Sequence, residues 1–452
     1  MLTLRQRCTL TMNDKARILL VAPEPNCRGN RRHRIHLAKT LFPPLGLLAV
    51  AAATPPDYDV AILDETSHPL SYDQRADLVA LTANTASAPR AYEIAGEFRR
   101  RGMPVVMGGI HATALPEEAL RYVDAVGVGE AEGFWPRMLA DFSRGKLEPI
   151  YRNEDYPSLD NLNIPRRDLL RRKDYLLWNT LQTSRGCPFR CSFCSVHKFF
   201  GGKYRMRPVP QVLEEVRQLS PDGPVIFVDD NIFGNRARAE ELMEAVLPLN
   251  RIWFSQASTD TLQDDKFLQL ASRSGCRMLF VGFESLSDEN LADINKRFNH
   301  PKQIEETVQR LHRNGIAILG AFIVGLDHDD ITVFDKIATL AEQAQLDAIQ
   351  IAIRIPIPGT DDAARLADRI FDQDYSKRDG SHIVFRPAKI SPPALLEQRL
   401  QETYARLYSG RGIKIRLAGQ TGAHVPWSRR VNQGFRLRAN KWLKRLGMNG
   451  MK

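Results

Sequence analysis

Thr183-Ser184-Arg185-Gly186-Cys187-Pro188-Phe189-Arg190-Cys191-Ser192-Phe193-Cys194 sets three cysteines in a C-x3-C-x2-C run. Three thiolates this close clamp one inorganic cluster. A four-iron cubane held by three of them keeps one iron open, whereas clusters that only carry electrons normally take four cysteines. An open iron is a place where a small molecule binds and receives an electron. The short run Leu181-Gln182-Thr183, the Arg185-Gly186 turn and Pro188 read as a strand entering a metal-binding loop. His197 allows a rival reading, a zinc site of three thiolates and one imidazole. Zinc knuckles usually space their ligands as two separated pairs, and here all the candidates crowd together.

The C-x3-C-x-aromatic-C pattern, with Phe193 as the aromatic, resembles the signature of radical S-adenosylmethionine enzymes. The resemblance implies a [4Fe-4S] cluster on Cys187, Cys191 and Cys194. Its open iron would chelate the amino and carboxylate groups of S-adenosylmethionine. Reductive cleavage would then give a 5′-deoxyadenosyl radical that takes hydrogen from an unactivated carbon, chemistry that the cofactors carry and the protein positions. It also implies a reducing partner such as flavodoxin or ferredoxin.

Working outward, 452 residues predict two or three domains. Apolar content of 43% and charged content of 26% are those of a soluble globular protein. No apolar run reaches bilayer length, and Met1 to Lys15 lacks the apolar stretch of a secretory signal. Six cysteines in a chain this long make no disulfide framework. A reducing, cytoplasmic setting is expected. The net charge of +10 is concentrated: Ala405 to Lys452 holds twelve Lys and Arg and no acid, so the rest of the chain is near neutral.

Residues 17–145 alternate buried-strand runs (18–22, 60–63, 78–82, 104–107, 125–128) with helical signals. One helix is predicted over 89–101, with Ala91, Ile94, Ala95 and Phe98 at helical spacing. This predicts an α/β domain with a Rossmann-like, doubly wound parallel sheet, its ligand at the carboxyl ends of the strands. Small and polar residues gather there: Thr82, Asn84, Thr85, Gly108, Gly109, Gly129 and Glu130. No G-x-G-x-x-G follows the first strand, which argues against a dinucleotide. The ordered segments 42–48, 106–113 and 127–132 resemble the cobalamin-binding domain that precedes the radical domain in one large subfamily. The resemblance implies cobalamin held by Thr82, Gly108, Gly109, Gly129 and Glu130. There is no D-x-H-x-x-G, so no histidine is placed to ligate cobalt from below. The basic stretch Arg28, Arg31, Arg32, His33, Arg34 and Lys39 reads as a phosphate contact or as a solvated loop.

Residues 1–16 are read as an extension and 146–178, punctuated by Pro149, Pro157 and Pro165, as a linker. From 179 to 374 a second βα series predicts a partial (β/α)6 barrel. Its strands are expected near 181–183, 225–228, 252–255, 278–283, 316–324 and 348–355, with function at the strand ends. By resemblance, S-adenosylmethionine would be held by Phe193, Asp229, Asp230, Asn231, Gln256, Glu284 and Gly325. Each of these residues alone could equally be a cap or a surface group. Residues 375–452 form a small, mostly helical extension. In it Val431, Phe435, Ala439, Trp442 and Leu446 share a helical face, and the basic residues mostly lie elsewhere. That pattern reads either as a membrane-surface helix or as a helix packed on the body. Aromatics are not interleaved with the charges as single-strand nucleic-acid binders require, so no nucleic acid is expected.

These readings together predict a cobalamin-dependent C-methyltransferase acting on an unactivated carbon of a lipid or natural product. The alternatives are a radical cyclisation, ring contraction or rearrangement without methyl transfer, or a non-catalytic cobalamin or zinc module. A methylthiotransferase is disfavoured, because before the cluster run the chain offers only Cys8 and Cys27.

Overall fold

The computed structural model of this protein describes residues 15–25 and 40–445, which fall into two compact units. The basic stretch from Arg28 to Lys39, Cys8 and Cys27 lie outside the described residues.

The first unit is built on six parallel strands: β1 (Ala16–Ala22), β2 (Tyr58–Asp64), β3 (Leu78–Thr82), β4 (Val105–Gly108), β5 (Ala125–Val128) and β6 (Ile150–Arg152). Their order is β2-β1-β3-β4-β5-β6. A sheet covered on both faces needs continuous apolar strands rather than alternating ones. β1 meets this: Leu19 and Val21 pack with Ile94 and Phe98, while Ile18 and Leu20 pack with Leu47 and Trp135. The helix predicted over 89–101 runs Ala88–Arg100 and buries all four expected positions. The stretch expected to be a linker contains β6. Its prolines exclude helix but leave three residues free to pair with β5. Tyr151 is fully buried, and its hydroxyl donates to Asp141 at 2.9 Å.

The second unit carries β7 (Thr180–Leu181), β8 (Ser184–Arg185), β9 (Arg205–Met206), β10 (Val225–Phe227), β11 (Trp253–Ala257), β12 (Cys276–Glu284), β13 (Ala317–Val324) and β14 (Ala348–Ile353). Six of these form one parallel sheet in the order β14-β13-β12-β11-β10-β7, and β8 pairs with β9 as an antiparallel ribbon. Each neighbour in the sheet is the previous parallel strand in the chain, as a partial (β/α)6 barrel requires. The strand expected over 181–183 ends at Leu181. Thr183 is drawn off the ladder by Asp229, and Ser184 and Arg185 pair with β9 instead.

An open barrel leaves an edge strand whose backbone groups need partners. On β14 the Tyr408 hydroxyl accepts from Ile349 N–H (2.9 Å) and donates to its carbonyl. The Tyr404 hydroxyl serves Ile351 in the same way (2.9 and 3.1 Å), and Ile353 N–H donates to Gly380 at 2.8 Å. The two tyrosines lie one helical turn apart on the helix Leu395–Leu407 or immediately after it.

The basic C-terminal helix spans Val425–Arg445. It packs on the barrel through Ser428, Asn432 and Ala439, all buried, and through Phe435, which stacks on Tyr408 with centroids 5.0 Å apart. Two polar residues therefore join the inward face, because Ser428 and Asn432 both bond to Asp347. Phe435 and Ala439 of the predicted apolar face are spent on packing. The Trp442 side chain and Leu446 lie outside what is described. Among the described residues no helix is long and apolar enough to cross a membrane.

Candidate functional site

In parallel strands all carboxyl ends meet at one rim, and in the barrel the cysteine loop leaves that rim after β7. Asp229, at the end of β10, is fully buried. Its carboxylate accepts from Thr183 N–H (3.1 Å), Thr183 Oγ1 (2.9 Å) and both Ser184 donors. Asp229 is thus the latch at the root of the loop. Gly186 has φ 89°, and a Cβ there would strike the Lys203 carbonyl, so the turn into Cys187 requires glycine. Ser192, between the second and third cysteines, accepts Asp362 N–H through its carbonyl (3.0 Å) and Arg365 through its hydroxyl (2.7 Å). The loop is held at both ends.

The thiols of Cys187, Cys191 and Cys194 lie in a common field. Burial pushes Cys191 up to about 11 and Cys194 up to about 12, and the neighbouring thiols add to both. Such a group reaches the thiolate state only against positive charge. Three neighbouring sulfur donors suit a soft iron–sulfur load. Burial holds the His197 imidazole below its ordinary value, and its Nδ1 is buried without a partner. The charges that bear on it are those of Lys198, Asp361 and Arg190. Cys276 opens β12 at the opposite end of the sheet and is fully buried.

Next to the loop, burial and then the charge of Asp229 push Asp230 up to about 7, with Gly186 N–H opposing. Its Oδ2 is buried without a partner. Asn231 donates to Ser258 Oγ at 2.9 Å, leaves its own Oδ1 buried without a partner, and lies within hydrogen-bond reach of Cys187. Glu284 ends β12 with φ 66° and receives Lys296 Nζ at 2.6 Å, both side chains being one-tenth exposed. A Cβ on Gly282 would collide with this pair. Burial pulls the Lys296 ammonium down, but Glu284 and the cysteines more than offset it and hold it above its ordinary value.

Gly325 follows β13 with φ 86°, and its N–H and that of Leu326 both donate to Asp329 at 3.0 Å. Phe193 packs on the cluster of Leu291, Ile294 and Leu326 beside that turn. Gln256 lies within β11, exposed between buried Ser255 and Ala257. The structure therefore gathers Asp229, Asp230, Asn231 and Glu284 around the cysteine loop, and sets Phe193 beside Gly325.

The sequence reading missed Lys296, Asp329 and Arg354. Lys296 hides in Asn295-Lys296-Arg297, which reads as a solvated charge run. Arg354 follows β14, is nearly fully buried and forks onto Asp362, with Asp327 at 3.2 Å. Its only signal was a lone arginine at the end of an apolar strand.

On the first unit, Thr82 and Gly108 end β3 and β4, while Gly109 and Gly129 follow β4 and β5 with φ 93° and 86°. A Cβ on Gly109 would lie 2.7 Å from Thr82 Oγ1. Gly129 N–H donates to Thr113 Oγ1 at 3.0 Å, and the Glu130 carbonyl accepts from Asn153 at 2.8 Å. The rim is thus a low shelf without side chains at its glycines, a surface that suits a broad flat ligand.

Two family models match this chain: the radical SAM superfamily over residues 181–341 and the B12-binding domain over 34–138. Bacteriochlorophyllide d C-12(1)-methyltransferase of Chlorobaculum tepidum is 31% identical over 388 residues, covering 83% of this chain and 85% of the relative. Hopanoid C-2 methylase of Rhodopseudomonas palustris is 27% identical, covering 71% and 63%. The fold matches the radical S-adenosylmethionine methyltransferase TsrM of Kitasatospora setae, solved with cobalamin and a [4Fe-4S] cluster. The TM-score is 0.67 at 16% identity, over 95% of this chain and 100% of that one.

Proposed function

Because the chain belongs to the radical S-adenosylmethionine enzymes that carry a B12-binding domain, we propose that it methylates an unactivated carbon of an apolar, ring-bearing substrate. When bound, the cluster, S-adenosylmethionine and cobalamin supply the radical and the methyl group; the chain's own residues hold, orient and shield them. Cys187, Cys191 and Cys194 hold the cluster. The observation that carries the reading is the buried, unpartnered carboxylate oxygen of Asp230 beside that loop. An acceptor left open next to three metal-ligating thiols suits the ammonium of a methionyl group. Asn231 offers a second open oxygen, Phe193 and the Gly325 turn offer an apolar shelf, and Gln256 and Glu284 line the same strand-end series. Thr82, Gly108, Gly109, Gly129 and Glu130 form the shelf for cobalamin. The ring-bearing substrate rests on the relatives named for bacteriochlorophyllide, which align with most of this chain. In contact with a membrane, the outward Arg429 and Arg430 of the basic helix would act by charge, while Phe435 and Ala439 are engaged in packing on the barrel.

The test is anaerobic reconstitution with iron, sulfide, cobalamin and S-adenosylmethionine under a strong reductant, offered a panel of chlorins and hopanoids. Cluster absorbance, retained cobalamin, 5′-deoxyadenosine and a methylated product are expected. Deoxyadenosine without retained cobalamin or methylated product would replace methyl transfer by cyclisation or rearrangement. Zinc in place of iron would overturn the enzyme reading.

A further inference from the structure

At the amino ends of the barrel strands, opposite the cysteine loop, three ionisable side chains come together from three segments. His312 lies on the helix Ile304–Arg313, Asp347 immediately precedes β14, and His424 immediately precedes the helix Val425–Arg445. One ligating atom from each lies within 4.8 Å of the others. Asp347 is fully buried and His424 is 1% exposed. Both ring nitrogens of His424 are buried without any hydrogen-bond partner. Leaving a buried polar group unmade costs about 1 to 3 kcal/mol, so a wholly unpartnered imidazole in the core calls for an explanation.

We propose that His312, Asp347 and His424 form a binding site for a divalent first-row transition ion, with zinc as its first candidate. Two imidazoles and one carboxylate are a borderline donor set that favours such ions over magnesium or calcium. Three protein ligands leave a fourth position for water. Metal–ligand bonds of about 2.0 to 2.2 Å place tetrahedral ligand atoms roughly 3.3 Å apart, and the present atoms lie within 4.8 Å of one another. His312 Nε2 meets Asp347 Oδ2 at 2.7 Å, a hydrogen bond the ion would replace. The two imidazoles stack nearly parallel, 4.4 Å between centroids and 6° apart. Convergence on one ion therefore needs a turn of the His424 ring, which has no hydrogen bond to lose.

The surroundings of the trio are those of a metal site. Asp347 is fixed by Ser428 on Oδ1 and by Ile318 N–H (2.8 Å) on Oδ2, the outer partners that orient a ligating carboxylate. His312 is 15% exposed, which gives the ion an entry path. A bound ion would staple the C-terminal helix to the barrel.

The full-length enzyme, reconstituted with its cluster so that the three cysteines are occupied, is dialysed against chelator and titrated with Zn²⁺. Bound zinc is counted by elemental analysis, and melting is followed with and without the ion. About one zinc per chain is expected in addition to iron, with a higher Tm. His424→Phe keeps the ring packing and removes the donor; His312→Ala removes the more exposed one. Each should weaken zinc binding at least about tenfold, abolish the zinc-dependent rise in Tm and leave the iron content unchanged. Equal zinc in the wild type and both variants, or none in the wild type, overturns the assignment. Fe²⁺ in place of Zn²⁺ reports whether the site prefers iron.

Discussion

Asp229 and Asp230 are adjacent carboxylates with opposite employment. Asp229 is saturated by Thr183 and Ser184, while Asp230 keeps an oxygen without a partner. Asp229→Ala should therefore act on the loop, stranding buried donors at a cost of about 3 kcal/mol and lowering cluster content, as read by urea denaturation and iron analysis. Asp230→Asn should leave stability and cluster intact and weaken S-adenosylmethionine binding by about tenfold, roughly 1.4 kcal/mol; equal affinity in a binding titration would refute that role. The buried Lys296–Glu284 pair invites a third substitution. Lys296→Met leaves an uncompensated carboxylate and should cost about 3 to 5 kcal/mol, most of it recovered by adding Glu284→Gln; a double variant no better than the single would contradict this. The polar triplet 229–231 was legible because it terminates an apolar run. Which of the three aspires to a ligand was not, because that depends on which donors a distant loop brings to each oxygen. Lys296 was illegible for the same reason: only the left-handed turn at Asn295, φ 55°, opens the segment in which it reaches Glu284.

The strands were readable as apolar runs bounded by glycine, proline and acid, and both sheets follow from them. β6 was not, since three residues carry no periodicity of their own and their pairing is decided by β5. Nor was the capped edge of β14, because nothing in a helix with Tyr404 and Tyr408 tells that their hydroxyls serve a strand. Tyr408→Phe should cost about 1 to 3 kcal/mol and speed hydrogen exchange at Ile349 more than at Ile318. Within the C-terminal extension, Asp379 and His382 form a pair at 3.1 Å. Burial raises Asp379, but His382 and Ser381 outweigh it and hold the carboxyl down at about 2. His382 is raised by its hydrogen bond to Asp379. The carboxylate therefore stabilises above its unfolded value of about 4, and that contribution fades as pH falls toward 2. The imidazolium stabilises fully below its unfolded value of about 6.5, and that contribution is lost as pH rises through the raised folded one. Asp379→Asn should flatten both limbs of a Tm-against-pH profile and lower the His382 titration midpoint seen by NMR.

For the whole molecule, charge and architecture diverge. The twelve basic residues after Ala405 left two readings open, a membrane-surface helix or a helix packed on the body, and the helix they accompany packs on the barrel through Ser428, Asn432, Phe435 and Ala439. Any attraction to anionic vesicles should thus respond to Arg429→Glu with Arg430→Glu, at unchanged Tm, and fall with salt; vesicle sedimentation reads it. Composition showed the charge but not the inward Ser428 and Asn432, which only their partner Asp347 explains. Arg416 binds this end of the protein together. Fully buried, it donates to the carbonyls of Leu346, Asp347 and Leu407 and to Asn432. Until Asn432 arrives, that guanidinium has an incomplete shell in a place without water. A nascent chain emerging from the ribosome therefore completes this shell only once the helix Val425–Arg445 has been made. The edge of β14 does not wait with it, because Gly380, Tyr404 and Tyr408, which cap that edge, all precede the tail helix in the chain.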